Sequence, residues 1–174
     1  AKYIYVTRDP VSFFASCVDF ERTNLGNFSP PLDEFQRWFT GNNLMWWGTW
    51  PAHVAEWLRR AAEAPNVLHV RFEDMKTDFA AVVARVTDFL QIAPLTPDEM
   101  SRVSEKCGFD YMQTHHETFE MNPPHLLQDG TGLFVSGAVD RHKGVPNEVR
   151  RDIAAWVASE LRETDFPLER LYPQ

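Results

Sequence analysis

Lys2-Tyr3-Ile4-Tyr5-Val6-Thr7-Arg8-Asp9-Pro10, followed by a stretch rich in apolar residues from Val11 to Phe20, decides how this chain is read. Tyr3 to Val6 is a short apolar, β-rich run and predicts a buried strand. Asp9 suits a helix N-cap, and Pro10 suits the first helical turn, where its missing N–H costs little. Arg8 then falls at the C-terminal end of a strand, beside a helix start. Open α/β sheets bind ligands at that edge. A helix start offers free N–H groups and a positive dipole end to an anion. Ser16, two turns further on, adds a hydroxyl. Together these features predict a phosphate grip. The competing reading pairs Arg8 with Asp9 or Glu73 and leaves Ser16 as packing.

The rest of the chain extends the same plan. A mobile passage is expected from Asn24 to Leu32, then a short amphipathic helix from Leu32 to Phe39. Gly41 to Gly48 reads as a loop holding Trp46 and Trp47. Thr49, with Pro51 just after it, starts a helix to about Ala64, with His53, Val54, Trp57 and Leu58 on one face. Val67 to Phe72 is a second strand, and Glu73 to Lys76 turns the chain and caps the next helix. Helices are expected at Phe79–Leu90, Asp98–Lys106 and Pro146–Arg162. Gly108 to Gly144 reads as mostly irregular, and such long irregular segments are often functional. Phe166 to Tyr172 is a tail with apolar anchors. Two strands, each followed by a helix, imply a parallel sheet. Because two strands rarely stand alone, the expectation is a single α/β domain whose first strands lie outside this chain.

Composition narrows the function. The 174 residues are 44% hydrophobic and 13% aromatic, enough for one domain with a real core. A net charge of −8 argues against a general nucleic-acid or anionic-membrane binder. It leaves room for one local basic pocket. Cys17 and Cys107 are the only cysteines. They are too few for a disulfide framework or an all-thiolate zinc site. The expected setting is reducing and cytoplasmic, with no membrane span and no metal. His115-His116 with Glu117 and Glu120 does not make a metal site, because adjacent histidines cannot face one point on a helix. His53 and His69 read as hydrogen-bonded structural residues.

Four blocks, in order, carry a family resemblance. They are Lys2–Pro10 with Ser16 and Phe20; Gly48-Thr49-Trp50-Pro51-Ala52-His53-Val54-Ala55-Glu56-Trp57; Pro65 to Asp78, with Phe72-Glu73-Asp74-Met75-Lys76 at its heart; and Phe134-Val135-Ser136-Gly137-Ala138-Val139-Asp140-Arg141-His142-Lys143. The chain resembles the C-terminal, larger part of sulfotransferases that use 3′-phosphoadenylyl sulfate (PAPS) and release adenosine 3′,5′-bisphosphate (PAP). That resemblance implies an α/β, P-loop NTPase-like three-layer fold, with a parallel sheet flanked by helices. It also implies transfer of a sulfuryl group to a hydroxyl or amine of a small acceptor.

Carried over residue by residue, the resemblance assigns the donor's 3′-phosphate to Arg8 and Ser16. Phe72, Phe109 and Cys107 fall at adenine contacts, with core packing an equal reading for the two phenylalanines. Ser136 and Gly137 fall in the loop that closes over the phosphate, and Trp46 and Trp47 in an acceptor-pocket region, with a surface hydrophobic staple an equal reading for the tryptophan pair. Val135 and Ser136 stand where many members carry Arg-Lys, and Arg141 matches an arginine of a bacterial version of that loop. The lysine-bearing phosphate cradle and the catalytic histidine of the family precede the matching segment, so no catalytic residue is expected within this chain. The family's dimer motif is not recognisable between Lys143 and Asp152, which leaves a homodimer open. The alternative is a non-catalytic nucleotide-binding module needing a partner chain. A nucleoside-triphosphate hydrolase is disfavoured, because no Gly-x-x-x-x-Gly-Lys-Ser/Thr occurs.

Overall fold

The parallel strand pair is the frame on which the other elements are hung. In the computed structural model, which describes residues 1–41, 48–119, 134, 137–138 and 140–172, β1 (Tyr3–Thr7) pairs in parallel with β2 (Val67–Arg71). The register sets Tyr3 against Val67 and Thr7 against Arg71. Both strands therefore end side by side, and the residues leaving them meet at one edge.

The crossover between the strands contains α1 (Pro10–Leu25), α2 (Leu32–Thr40) and α3 (Trp50–Glu63). Asp9 caps α1 as its residue type demands: its carboxylate accepts from the Ser12 amide at 2.8 Å, with Pro10 in the first turn. Helix α1 continues to Leu25, and a 3₁₀ turn covers Gly26–Phe28, so the first part of the passage from Asn24 is helical. Thr49 caps α3 through the Ala52 amide, with Pro51 in its first turn.

After β2 come α4 (Phe72–Thr77), α5 (Phe79–Leu90), α6 (Pro97–Lys106) and α7 (Phe109–Thr114), then α8 (Asn147–Leu161) and α9 (Leu168–Leu171). Thr96 and Glu99 form a capping box at the start of α6, satisfying two end amides reciprocally. The segment expected to be irregular from Gly108 in fact holds α7 and 3₁₀ turns at His116–Thr118 and Arg141–Gly144. These elements span only a turn or so, too short to leave a periodic apolar signature.

The core lies between α1, α2 and α8. Phe14, Ile153, Val157 and Leu161 are fully buried there, joined by Val11, Val18, Phe35, Phe39 and Val149. Phe14 meets Phe39 edge-on at 5.1 Å, a favourable aromatic geometry. The strand expected to be buried is not: Tyr3, Ile4 and Val6 are 48%, 43% and 47% exposed, and β1 reaches full burial only at Thr7. Among the described residues β1 has a strand neighbour on one side only, so its apolar side chains lack a second strand and its covering layer.

Truncating the core should be costly. Ile153→Ala and Phe14→Ala are each expected to lower unfolding stability by about 3 kcal/mol or more, through lost burial plus a cavity. Phe28→Ala, at a residue 89% exposed, should change it by less than about 0.5 kcal/mol. Denaturant titration of the three variants checks the contrast.

Candidate functional site

Arg8 leaves the end of β1 and is gripped from several directions. Its Nη1 donates to Ser16 Oγ at 2.8 Å, and its Nη2 donates to the carbonyl of Ala138 at 2.8 Å. The guanidinium carbon lies 4.4 Å from the centre of the Phe72 ring, a cation–π contact. Arg8 Nε is buried and has no hydrogen-bond partner among the described residues. Neither Asp9 nor Glu73 forms an ion pair with Arg8 there. The competing carboxylate reading is therefore not the geometry adopted. Burial pushes the Arg8 guanidinium below its usual range, and the nearby Arg141 pushes the same way, while Glu73 and Asp9 oppose it.

Ser16 turns its hydroxyl toward Arg8 because it lies two helical turns along α1, on the same face as Ser12, whose carbonyl its hydroxyl also bonds at 3.0 Å. The helix start itself is less open than its sequence suggests. The Ser12 amide is taken by Asp9, the Asp9 amide donates to Glu73 Oε1 at 2.8 Å, and Pro10 has no N–H. The charged and hydroxyl groups of Arg8 and Ser16, rather than those amides, dominate the grip.

The C-terminal loop comes back over α1. Ala138 takes the Arg8 bond, Arg141 pairs with Asp19 on α1, and His142 Nδ1 stands 3.1 Å from Ser12 Oγ. Gly137 lies against the ring of Phe109. A Cβ there would come within 2.8 Å of Phe109 Cδ2 and 2.9 Å of Cγ. Phe109 also meets Phe134 edge-on at 6.4 Å. Sequence reasoning assigned Phe109 and Gly137 separately, and the structure brings them into contact. Cys107 ends α6, exposed, with its backbone N–H on Val103. Cys17, by contrast, is mostly buried, and burial pushes its thiol up to about 12. Trp46, Trp47 and Ser136 lie outside the described residues.

Beside Arg8 opens a cavity of about 500 Å³, whose lining includes Phe13, Phe39, Trp50, His53 and Phe72. Tyr5 stacks on Trp57 at 5.3 Å and sets its hydroxyl 3.0 Å from His53 Nδ1. His69 Nε2 stands 2.8 Å from Thr7 Oγ1. His53 and His69 thus have the hydrogen-bonded roles expected of them. His115 stacks on Tyr111, and no metal-binding cluster occurs among the described residues.

The family model described as Sulfotransferase domain matches residues 1–165. The chain belongs to the sulfotransferase family. This sulfotransferase chain is 29% identical to Sulfotransferase 2A1 of Rattus norvegicus over 141 residues, 80% of its own length and 49% of the relative's. It is 25% identical to the luciferin sulfotransferase of Photinus pyralis, covering 98% of itself and 48% of that protein. Among solved structures it matches retinol dehydratase in complex with androsterone and inactive cofactor PAP, with a TM-score of 0.80 at 24% identity, over 99% of this chain and 49% of that one. It also matches mouse sulfotransferase SULT7A1 complexed with PAP, with a TM-score of 0.76 at 24% identity, over 94% and 60%. The shared fold is the P-loop-like α/β architecture expected from the sequence. The sulfotransferase chain spans about half the length of the curated relatives it matches. No helix among its described residues is long and apolar enough to cross a membrane.

The site's histidines give a pH prediction. Burial, with Arg85 and Arg71 nearby, holds His69 below its ordinary 6.5. Burial lowers His53 as well. The unfolded chain therefore binds protons that the fold refuses. Stability from the neutral rings is complete above about pH 6.5 and is lost as pH falls through the lowered folded values. Melting temperature should fall on acidification over that range. The fall should be shallower in His69→Gln, which keeps a hydrogen-bonding group but cannot titrate.

Proposed function

We propose that the protein is a sulfotransferase whose Arg8 and Ser16 hold the 3′-phosphate of PAPS, delivering a sulfuryl group to a hydroxyl or amine of a small acceptor. One observation carries this reading. A half-buried guanidinium is bonded to a serine hydroxyl, with no carboxylate partner among the described residues, and keeps an orphaned Nε. Buried donors left unpaired are costly, and an anion would satisfy this one. A second guanidinium, Arg141, lies close enough to depress Arg8 electrostatically. A phosphate between them would relieve that repulsion.

In this reading Arg8 supplies the guanidinium fork, Ser16 a hydroxyl, and Arg141 the positive field that the family often draws from an Arg-Lys pair in the loop. Gly137 and Ser136 belong to the loop closing over the phosphate. Phe72 supports the guanidinium from below, and Phe109, with the backbone around Cys107, borders the adenine. Trp46 and Trp47 belong to the acceptor region, and the aromatic cavity beside Arg8 suits an apolar acceptor. Relatives named for steroid and luciferin sulfotransfer are consistent with acceptors of that kind.

When bound, PAPS supplies the activated sulfuryl group. The residues of this chain act at a distance from the sulfur. They fix the nucleotide's remote phosphate, and that binding energy supports the geometry of transfer. In the family, the base that takes the acceptor proton and the lysine that stabilises the leaving phosphate lie N-terminal to the part that this chain matches. No metal is required in this scheme. A cytoplasmic setting suits a soluble nucleotide donor, with no nucleic-acid or membrane partner.

Isothermal calorimetry with PAP tests the proposal. The wild-type full-length protein should bind, and Arg8→Ala should weaken binding about a hundredfold, the worth of two charge-assisted hydrogen bonds. Equal affinity in the variant would exclude the assigned grip. A labelled-sulfate assay over phenols, alcohols and amines then identifies the acceptor. Transfer to none of them would favour a non-catalytic nucleotide-binding module. Gly137→Ala should also weaken PAP binding, by about tenfold, because the new Cβ displaces the Phe109 ring.

A further inference from the structure

The amide of Asp9 and the carboxylate of Glu73 are 64 residues apart in sequence and 2.8 Å apart in space. This single bond ties the turn leaving β1 to the first turn of α4. It is one half of a two-part clamp. Phe72, the residue before Glu73, lies against the guanidinium of Arg8, the residue before Asp9. Neighbouring residues at the end of β2 thus hold neighbouring residues at the end of β1, one through a ring and the other through a hydrogen bond.

We propose that Glu73 is a positioning residue, whose Oε1 fixes the Asp9 amide and thereby aims the Arg8 guanidinium at the phosphate; this rests on the nucleotide reading above. Three observations support it. Glu73 makes its bond to backbone at the one point where the chain must turn between strand and helix. A side chain cannot replace that constraint by repacking elsewhere. Its second oxygen, Oε2, is buried with no hydrogen-bond partner among the described residues. An uncharged side chain would fill the same space without that unsatisfied atom, so packing alone does not account for a carboxylate here. Finally, Glu73 opposes the effects of burial and Arg141 on Arg8. It stabilises the charged guanidinium without pairing with it, so no carboxylate competes there with a ligand.

Glu73 does not touch the nucleotide in this scheme, and its effect is transmitted only through Arg8. Two ligands separate that role from general stability. PAP carries the 3′-phosphate that Arg8 would grip, and adenosine 5′-phosphate does not. In calorimetry on the full-length protein, Glu73→Ala should weaken PAP binding by about tenfold or more, as expected for losing a hydrogen bond to a charged group. It should leave affinity for adenosine 5′-phosphate unchanged. Glu73→Gln retains a carbonyl that accepts from the Asp9 amide but lacks the charge that favours the guanidinium, so it should recover most of the loss, to within about threefold of wild type. Glu73→Asp keeps the charge but shortens the reach, and should behave like the alanine variant. It serves as the test if Glu73→Ala does not fold. Unchanged PAP affinity in both the Ala and Asp variants would overturn the inference. So would parallel losses for both nucleotides without rescue by Gln. Wild-type protein that fails to bind PAP would remove the nucleotide reading itself, and this inference with it.

Discussion

The parallel register of two five-residue strands is the constraint on which the rest of the site depends. It brings Thr7 level with Arg71, so the residues leaving each strand emerge side by side. A slip of one residue would reverse the faces of all these side chains. In the observed register Phe72 reaches Arg8 and Glu73 reaches Asp9. The guanidinium at the edge of the sheet is then held by a ring, a serine hydroxyl and a loop carbonyl.

Charge is arranged locally against the overall balance. The chain carries a net −8, yet two arginines are drawn close together at one helix. Asp19 pairs with Arg141, whose charge still acts on Arg8, and Arg71 is taken up by Asp74, whose carboxyl it holds below the usual range. Among the described residues, Arg8 alone of these three has no carboxylate in contact. Its partners are neutral, and neutral partners can be exchanged for a phosphate at little cost. The loop that meets it is joined to Arg8 and α1 at three places, Ala138, Arg141 and His142. Loop and helix therefore form one surface beside the Arg8 guanidinium.

Local rules wrote much of this fold into the sequence. Asp9-Pro10 and Thr49 with Pro51 start helices where their capping chemistry says they should. The helix at Phe79–Leu90 was legible from its apolar content. Arg8 and Ser16 were legible as a pair because both sit on or beside regular elements, where position in sequence sets direction in space. The exposure of β1 was not legible, since burial depends on neighbours and not on the strand's own apolar content. Helix α7 was hidden because six residues carry too little periodicity. The contact between Phe109 and Gly137, and the bond from Asp9 to Glu73, join distant segments that no local pattern relates.

The sequence by itself determined the two strands, the longer helices, the caps at Asp9 and Thr49, the order of four family blocks and the arginine at the strand's end. Each of these follows from interactions within a few residues along the chain. Tertiary structure alone decided what surrounds that arginine: a ring from α4, a carbonyl from a loop 130 residues away, and an amide–carboxylate bond fixing the turn beneath it. Those contacts arise only when the two strands pair, because hydrogen bonds and ring contacts act over a few ångströms and cannot be read from separation along the chain.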